Sequence, residues 1–125
     1  MKNKKKILII EDDKDINRTL SLRLKMEGFE ILTAHEGYEG FYKATTQAPD
    51  LIILDLKLPG LPGEEICREL RKDGKRAFLP IVMLTAKDTD VDKVIGKVIG
   101  ADYYMSKPFD MEELLKKIYA LLKEK

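Results

Sequence analysis

Short apolar blocks alternate along the chain with longer segments of helical spacing. Ile7 to Ile10, Leu51 to Leu54 and Ile81 to Leu84 are continuous apolar runs rich in Ile and Leu. Runs of this length, apolar at every position, suit parallel strands covered on both faces. Phe29 to Thr33 and Asp102 to Met105 are weaker runs that suit flanking strands. Between the runs, Ile16, Leu20 and Leu24 recur at intervals of four before Gly28, a helix stop. Tyr38, Phe41, Tyr42 and Thr45 predict a second helix, and Ile66, Cys67 and Leu70 give the apolar side of a third. Val91, Val94, Ile95, Val98 and Ile99 predict a fourth that ends at Gly100. A fifth opens on Asp110 with Glu113 in capping-box spacing and carries Leu114, Ile118, Leu121 and Leu122.

Strict alternation of five strands with five helices predicts an α/β chain. Right-handed crossovers then give a doubly wound parallel sheet with helices on both faces. In such sheets ligands bind beyond the carboxyl ends of the strands. Glu11, Asp12 and Asp13 follow the first strand, Asp55 the third, Thr85 the fourth and Lys107 the fifth, so all should meet on one edge. Carboxylates about 5 Å apart repel by roughly 3 kcal/mol at an effective dielectric near 20. A divalent cation offsets that repulsion, and Mg²⁺ suits a few carboxylates with water and phosphate oxygens completing its shell. Lys107 supplies a fixed positive charge, Thr85 a hydroxyl, and Asp55 sits centrally enough to act as a nucleophile toward phosphorus.

Composition narrows the picture mainly by exclusion. The 23 Lys plus Arg nearly cancel the 22 Asp plus Glu in 125 residues, leaving a formal charge of +1. That argues against a nucleic-acid binder working through bulk charge. No run approaches a membrane span, and the start MKNKKK lacks the apolar core of a signal peptide, so the expected location is cytoplasmic. Cys67 is the only cysteine, which fits a reducing compartment. With no repeat or linker, residues 1–125 are expected to form one domain with its core over about 6–122.

The segments KILIIEDDKDI, PDLIILDLKLPGLPG, LPIVMLTA and GADYYMSKPF resemble the successive signatures of the receiver domain of two-component response regulators. The resemblance implies a flavodoxin-like receiver fold with strand order 2-1-3-4-5. It implies that Asp55 accepts a phosphoryl group from a phosphohistidine on a sensor histidine kinase or a phosphotransfer protein. Asp12, Asp55 and the backbone carbonyl of Lys57 would ligate Mg²⁺ directly, with Glu11 acting through water. Thr85 and Lys107 would bind phosphoryl oxygens. Tyr104 would follow Thr85 as the switch, altering the surface made by the fourth helix, fifth strand and fifth helix. That surface is the expected contact for a second copy or a downstream effector. The Lys107–Pro108 bond is commonly cis in the family, and autodephosphorylation would reset the switch. Asp13, one place beyond the acidic pair, reads as the cap of the first helix.

Some positions depart from the family's pattern. Lys57 and Lys87, two residues after Asp55 and Thr85, are both basic and are expected to affect how water reaches the phosphoryl group. Val98 and Tyr103 stand where receivers that pair through this face usually carry acids, while Lys93 and Lys117 keep the basic character, so the usual cross-dimer ion pairs are in doubt. Three rival readings are weaker. A phosphate-binding flavoprotein needs a glycine- and hydroxyl-rich loop after the first strand, where three acids stand. An Asp-nucleophile phosphatase generally has a second carboxylate where Lys57 is found. A degenerate receiver acting only as a docking module sits poorly with the presence of Asp55, Thr85 and Lys107 together.

Overall fold

Each apolar block of the sequence becomes a strand. A computed structural model describes residues 4–85 and 100–123. Its strands are β1 (Lys6–Ile10), β2 (Glu30–Ala34), β3 (Leu51–Asp55), β4 (Ile81–Thr85) and β5 (Tyr103–Ser106). All pairings are parallel, and the order is β2-β1-β3-β4-β5. The register sets Ile10 beside Leu54, Asp55 beside Leu84 and Thr85 beside Ser106, so the chain leaves the sheet along one edge. Asp55 and Thr85 are the last residues of their strands rather than the first of the loops, which roots both side chains in the sheet.

The described helices are α1 (Lys14–Met26), α2 (Gly37–Thr46), α3 (Gly63–Lys72) and α4 (Met111–Leu122), the last being the fifth expected from sequence. The expected helix over 91–99, with Lys93 and Val98, lies outside the described residues, as does Lys87. No helix among the described residues is long and apolar enough to cross a membrane. Alternate strand residues face opposite ways, and this builds two apolar layers. Ile7, Ile9, Leu51, Ile53, Val82 and Leu84 pack with Leu20, Leu24, Leu114 and Ile118 of α1 and α4. Leu8, Ile10, Ile52, Leu54, Ile81 and Met83 pack with Ala44, Ile66, Cys67 and Leu70 of α2 and α3. Each Leu or Ile so buried contributes roughly 1.5–3 kcal/mol, so the strand exits are held on a rigid scaffold.

Local chemistry sets the element ends. Asp13 caps α1, its Oδ1 accepting from the amides of Asp15 at 2.9 Å and Ile16 at 3.0 Å. The helix stops at Gly28, whose φ of 100° suits a residue without a Cβ. Asp13→Ala should lower stability by about 1 kcal/mol, read from the urea midpoint at unchanged slope. Asp110 caps α4 through the Glu112 amide, but the second half of the expected capping box is absent. Glu113 instead accepts from the Tyr103 hydroxyl at 2.7 Å.

Two helical faces differ from their spacing. In α2, Tyr38 and Tyr42 are exposed, and Gly37, Gly40 and Ala44 are the buried positions, because the helix sits too close to the sheet for large side chains. A Cβ on Gly40 would lie 2.6 Å from Ile10 Cδ1. In α1 the buried residues are Asn17, Leu20, Ser21 and Leu24, which leaves Ile16 half-exposed at the helix's edge. The loop after β3 folds back on the strand end, and Gly63 is needed there. Its amide donates to Leu56 O at 3.0 Å, and a Cβ would fall 2.1 Å from Asp55 O.

Candidate functional site

The four strand ends bring together the residues that the sequence singled out. Glu11, Asp12 and Asp55 each offer a carboxylate oxygen within 4.8 Å of the others. Glu11 is fully buried and Asp55 nearly so, while Asp12 is exposed at the rim. Lys107 reaches into the cluster from the loop after β5. Its Nζ lies 2.8 Å from Glu11 Oε1 and 3.3 Å from Asp55 Oδ2. Three carboxylates therefore face one ammonium, and the cluster keeps an excess of negative charge. The Lys107–Pro108 peptide bond is cis.

The backbone aims each acid. Asp13 donates its amide to Glu11 Oε2 at 3.0 Å, and Lys57 donates its amide to Asp55 Oδ1 at 3.3 Å. Thr85 is buried, and its hydroxyl donates to Met105 O at 3.3 Å, across the β4–β5 pairing. Tyr104 is half-buried, packed against the layer that holds Met83 and Leu54. Lys57 itself is exposed.

These surroundings shift the titration of the site. Burial pushes the Asp55 carboxyl up to about 7, and the Glu11 charge adds to the rise. Lys107 opposes both without cancelling them. For Lys107, burial favours the neutral amine, yet the close ion pair with Glu11 and the Asp55 charge together hold the ammonium above its ordinary range.

The donor set fits a hard divalent cation. It consists of carboxylate oxygens, one of which, Glu11 Oε1, is buried with no hydrogen bond, only the ion pair to Lys107. Oxygen ligands of this kind with an open, partly exposed rim match Mg²⁺, which keeps several of its waters.

A groove that the sequence did not announce opens beside Lys107. It has a volume of about 330 Å³, and Asp15, Ile16, Thr19, Pro108, Phe109 and Met111 line it with Lys107. Its apolar character comes from Ile16, which α1 leaves at its edge, and from the residues that follow Lys107. The displaced position of Ile16 has one sequence signal. Asn17 and Ser21 precede Leu20 and Leu24 by three, a spacing that belongs to the buried face.

A carboxylate cluster opposed by a lysine stands at the strand ends of a 2-1-3-4-5 parallel sheet, on a doubly wound fold. The family model of the response regulator receiver domain matches residues 7–119, and the chain belongs to that family, a family of signalling switches rather than of enzymes in the usual sense. It is 44% identical over 119 residues to the alkaline phosphatase synthesis transcriptional regulatory protein PhoP of Bacillus subtilis (strain 168). That match covers 95% of this chain and 49% of PhoP, so the chain spans about half the length of the curated relative. Among solved structures, the chemotaxis protein CheY4 of Vibrio cholerae superposes with a TM-score of 0.87 at 34% identity, over 95% of this chain and 99% of that one. The receiver domain of the sensor histidine kinase PA1611 of Pseudomonas aeruginosa PAO1 superposes with a TM-score of 0.89 at 26% identity. It covers 98% of this chain and 100% of its own, and it holds a magnesium ion in its active-site cleft.

Proposed function

We propose that the chain is a single receiver domain that accepts a phosphoryl group on Asp55 and acts as a reversible switch in a two-component system. The observation that carries this reading is the Glu11–Asp12–Asp55 cluster faced by Lys107 at the strand ends. Asp12, Asp55 and the Lys57 carbonyl would hold Mg²⁺, with Glu11 acting through water, and the magnesium held by the Pseudomonas receiver supports that choice. When bound, the ion neutralises carboxylate charge and polarises a phosphoryl oxygen.

An Asp55 carboxylate oxygen attacks the phosphorus of a phosphohistidine. The P–N bond breaks, and the imidazole nitrogen leaves with the electron pair and takes up a proton. Lys107 pairs with a new phosphoryl oxygen in exchange for part of its contact with Glu11. Thr85 gives up its bond to Met105 O to reach another oxygen. Its departure frees space for Tyr104, and the change reaches the face formed by β5 and α4. Attack of water on the phosphorus breaks its bond to the Asp55 oxygen, releases inorganic phosphate and restores the Asp55 carboxylate.

The partners follow from the same surface chemistry. The groove lined by Ile16, Phe109 and Met111 opens beside Lys107 and suits an apolar helix of a kinase or phosphotransfer protein that brings its phosphohistidine to Asp55. Ile16→Asp should cut transfer from the cognate phosphohistidine protein by at least about tenfold while leaving labelling by acetyl phosphate intact. Equal loss with both donors would show that the groove is not the docking surface. On the output face, Tyr103 donates to Glu113, and Lys117 Nζ stands 4.7 Å from the Tyr103 ring centroid. These two charges are engaged within the chain, which favours an effector or a copy that binds without cross-pairing them. With a near-neutral total charge, direct nucleic-acid binding by this domain is not part of the proposed activity.

The test is incubation with acetyl phosphate and Mg²⁺ followed by intact mass. The wild type should gain one phosphoryl group, lose it on standing, and fail to gain it in a chelator. Absence of the added mass with both acetyl phosphate and a phosphohistidine donor would overturn the proposal.

A further inference from the structure

We propose that Asn17 is a positioning residue for the acidic site, holding the loop of Glu11 and Asp12 in place against the mutual repulsion of the carboxylates. The inference rests on reading that cluster as the Mg²⁺ site. Asn17 lies on the buried face of α1 with 2% exposure, in a row with Leu20, Ser21 and Leu24 where an apolar side chain is expected. A buried amide costs free energy unless its hydrogens find acceptors. Both hydrogens of Nδ2 have acceptors, and both acceptors are main-chain carbonyls at strand exits: Glu11 O at 3.0 Å and Ala34 O at 3.2 Å.

The geometry joins three elements at one side chain. Glu11 donates its own amide to Ala34 O at 3.0 Å, which carries the β1–β2 pairing one residue beyond β1. The Asn17 amide meets the same carbonyl from the helix side and takes the Glu11 carbonyl as well. That carbonyl belongs to the peptide that leads into Asp12. From behind, the Ser21 hydroxyl bonds to Asn17 O at 2.8 Å and lies 3.3 Å from Asn17 Oδ1, which fixes the side chain.

Such a staple has work to do here because Glu11, Asp12 and Asp55 approach within 4.8 Å of one another. Charges that close repel strongly at the moderate effective dielectric of a protein edge. Asp55 is rooted in the sheet, so the β1–α1 loop is the part free to recoil. A lysine at position 17 would pair with the acids and compete for them. A neutral amide restrains the backbone and leaves the carboxylates free to take a cation.

Asn17→Leu keeps the approximate volume and removes both bonds, and Asn17→Ala serves beside it should Leu crowd the site. Leu20→Ala, on the same helix, is the control that lowers stability without touching the staple. In metal-free protein, amide exchange at Asp12 and Asp13 should accelerate in both Asn17 variants and not in Leu20→Ala, compared at equal distance below each melting temperature. Calorimetric Mg²⁺ affinity should fall by about tenfold, as when a residue behind a metal ligand is removed. The acetyl phosphate rate at saturating Mg²⁺ should stay within about twofold, the pattern of lost binding rather than lost chemistry. Unchanged exchange and unchanged Mg²⁺ affinity in the Asn17 variants would overturn the proposal, and so would a Leu20→Ala protein showing the same two changes. A wild type that takes up no Mg²⁺ would instead overturn the reading of the cluster, with the exchange comparison still deciding whether Asn17 holds the loop.

Discussion

Asp55→Asn is expected to make the metal-free protein more stable as well as unable to hold a phosphoryl group. Burial and the Glu11 charge raise the Asp55 carboxyl from an ordinary 3.8 to about 7. A carboxyl that is harder to ionise when folded favours the folded state in its protonated form. That contribution is whole below pH 4 and is lost as pH climbs through about 7, where the folded protein must carry the buried charge. An amide does not titrate, so the difference between variant and wild type should be smallest below pH 4. It should then widen between about pH 4 and 7 and level off at about 4 kcal/mol in favour of the variant. Urea unfolding in chelator across that range measures it. Curves that run parallel in pH would mean that Asp55 is not strained by its surroundings. Mg²⁺ should narrow the gap by binding the wild type alone, because a ligand that binds only the folded protein adds to its stability.

Removing the opposing charge should act the other way. Lys107→Met leaves Glu11, which is fully buried, without the ammonium that stands 2.8 Å from its Oε1. Taking one partner from a buried pair strands the other charge, and the cost at pH 8 is expected to be about 2 kcal/mol. It stays below the largest such losses because Asp55 can take up a proton instead and Lys107 keeps some contact with solvent. Adding Glu11→Gln to Lys107→Met should recover most of the loss, giving a coupling energy in a double-mutant cycle that neither single change contains. Equal stability of Lys107→Met and wild type would show that the ion pair contributes nothing net. In either case Lys107→Met should slow labelling of Asp55 by acetyl phosphate, measured as the initial rate of mass gain.

The two changes have opposite signs because the site holds more negative charge than positive. A phosphoryl group on Asp55, as proposed, would add to that excess, and Lys107 and Thr85 would be the side chains to answer it. In this structure Lys107 is shared between Glu11 and Asp55, and Thr85 is bonded to Met105 O. In the proposed switch both contacts would be exchanged for contacts with a more highly charged group, which is the requirement for a two-state element biased by modification.

Sequence alone determined the strands, their alternation with helices and the chemistry at their ends. Ile7 to Ile10, Leu51 to Leu54 and Ile81 to Leu84 are apolar at every position, and a strand buried on both faces leaves no other pattern to read. Once five such units alternate, handedness sends every strand in the same direction, and the residues at Glu11, Asp55, Thr85 and Lys107 must share an edge. The distances within that edge, the burial of Glu11 and the rise of Asp55 toward neutrality came only from tertiary structure. They depend on how closely the loops after β1 and β5 approach, and no local pattern encodes that approach.

Helix faces were legible where side chains are large and misleading where they are small. The tyrosines of α2 face solvent because Gly37, Gly40 and Ala44 let the helix lie close against Ile10 and the loop after β3. Glu113 answers Tyr103 rather than its own helix's first residue, because a phenol from the neighbouring strand reaches it. Asn17 looks like an ordinary polar residue until β1 and β2 are paired, since its two acceptors lie 6 and 17 residues away in the chain. Residue types set which chemistry is available at this site. Contacts between residues distant in sequence decide its geometry, because only packing brings Asn17, Ala34, Asp55 and Lys107 around one acidic loop.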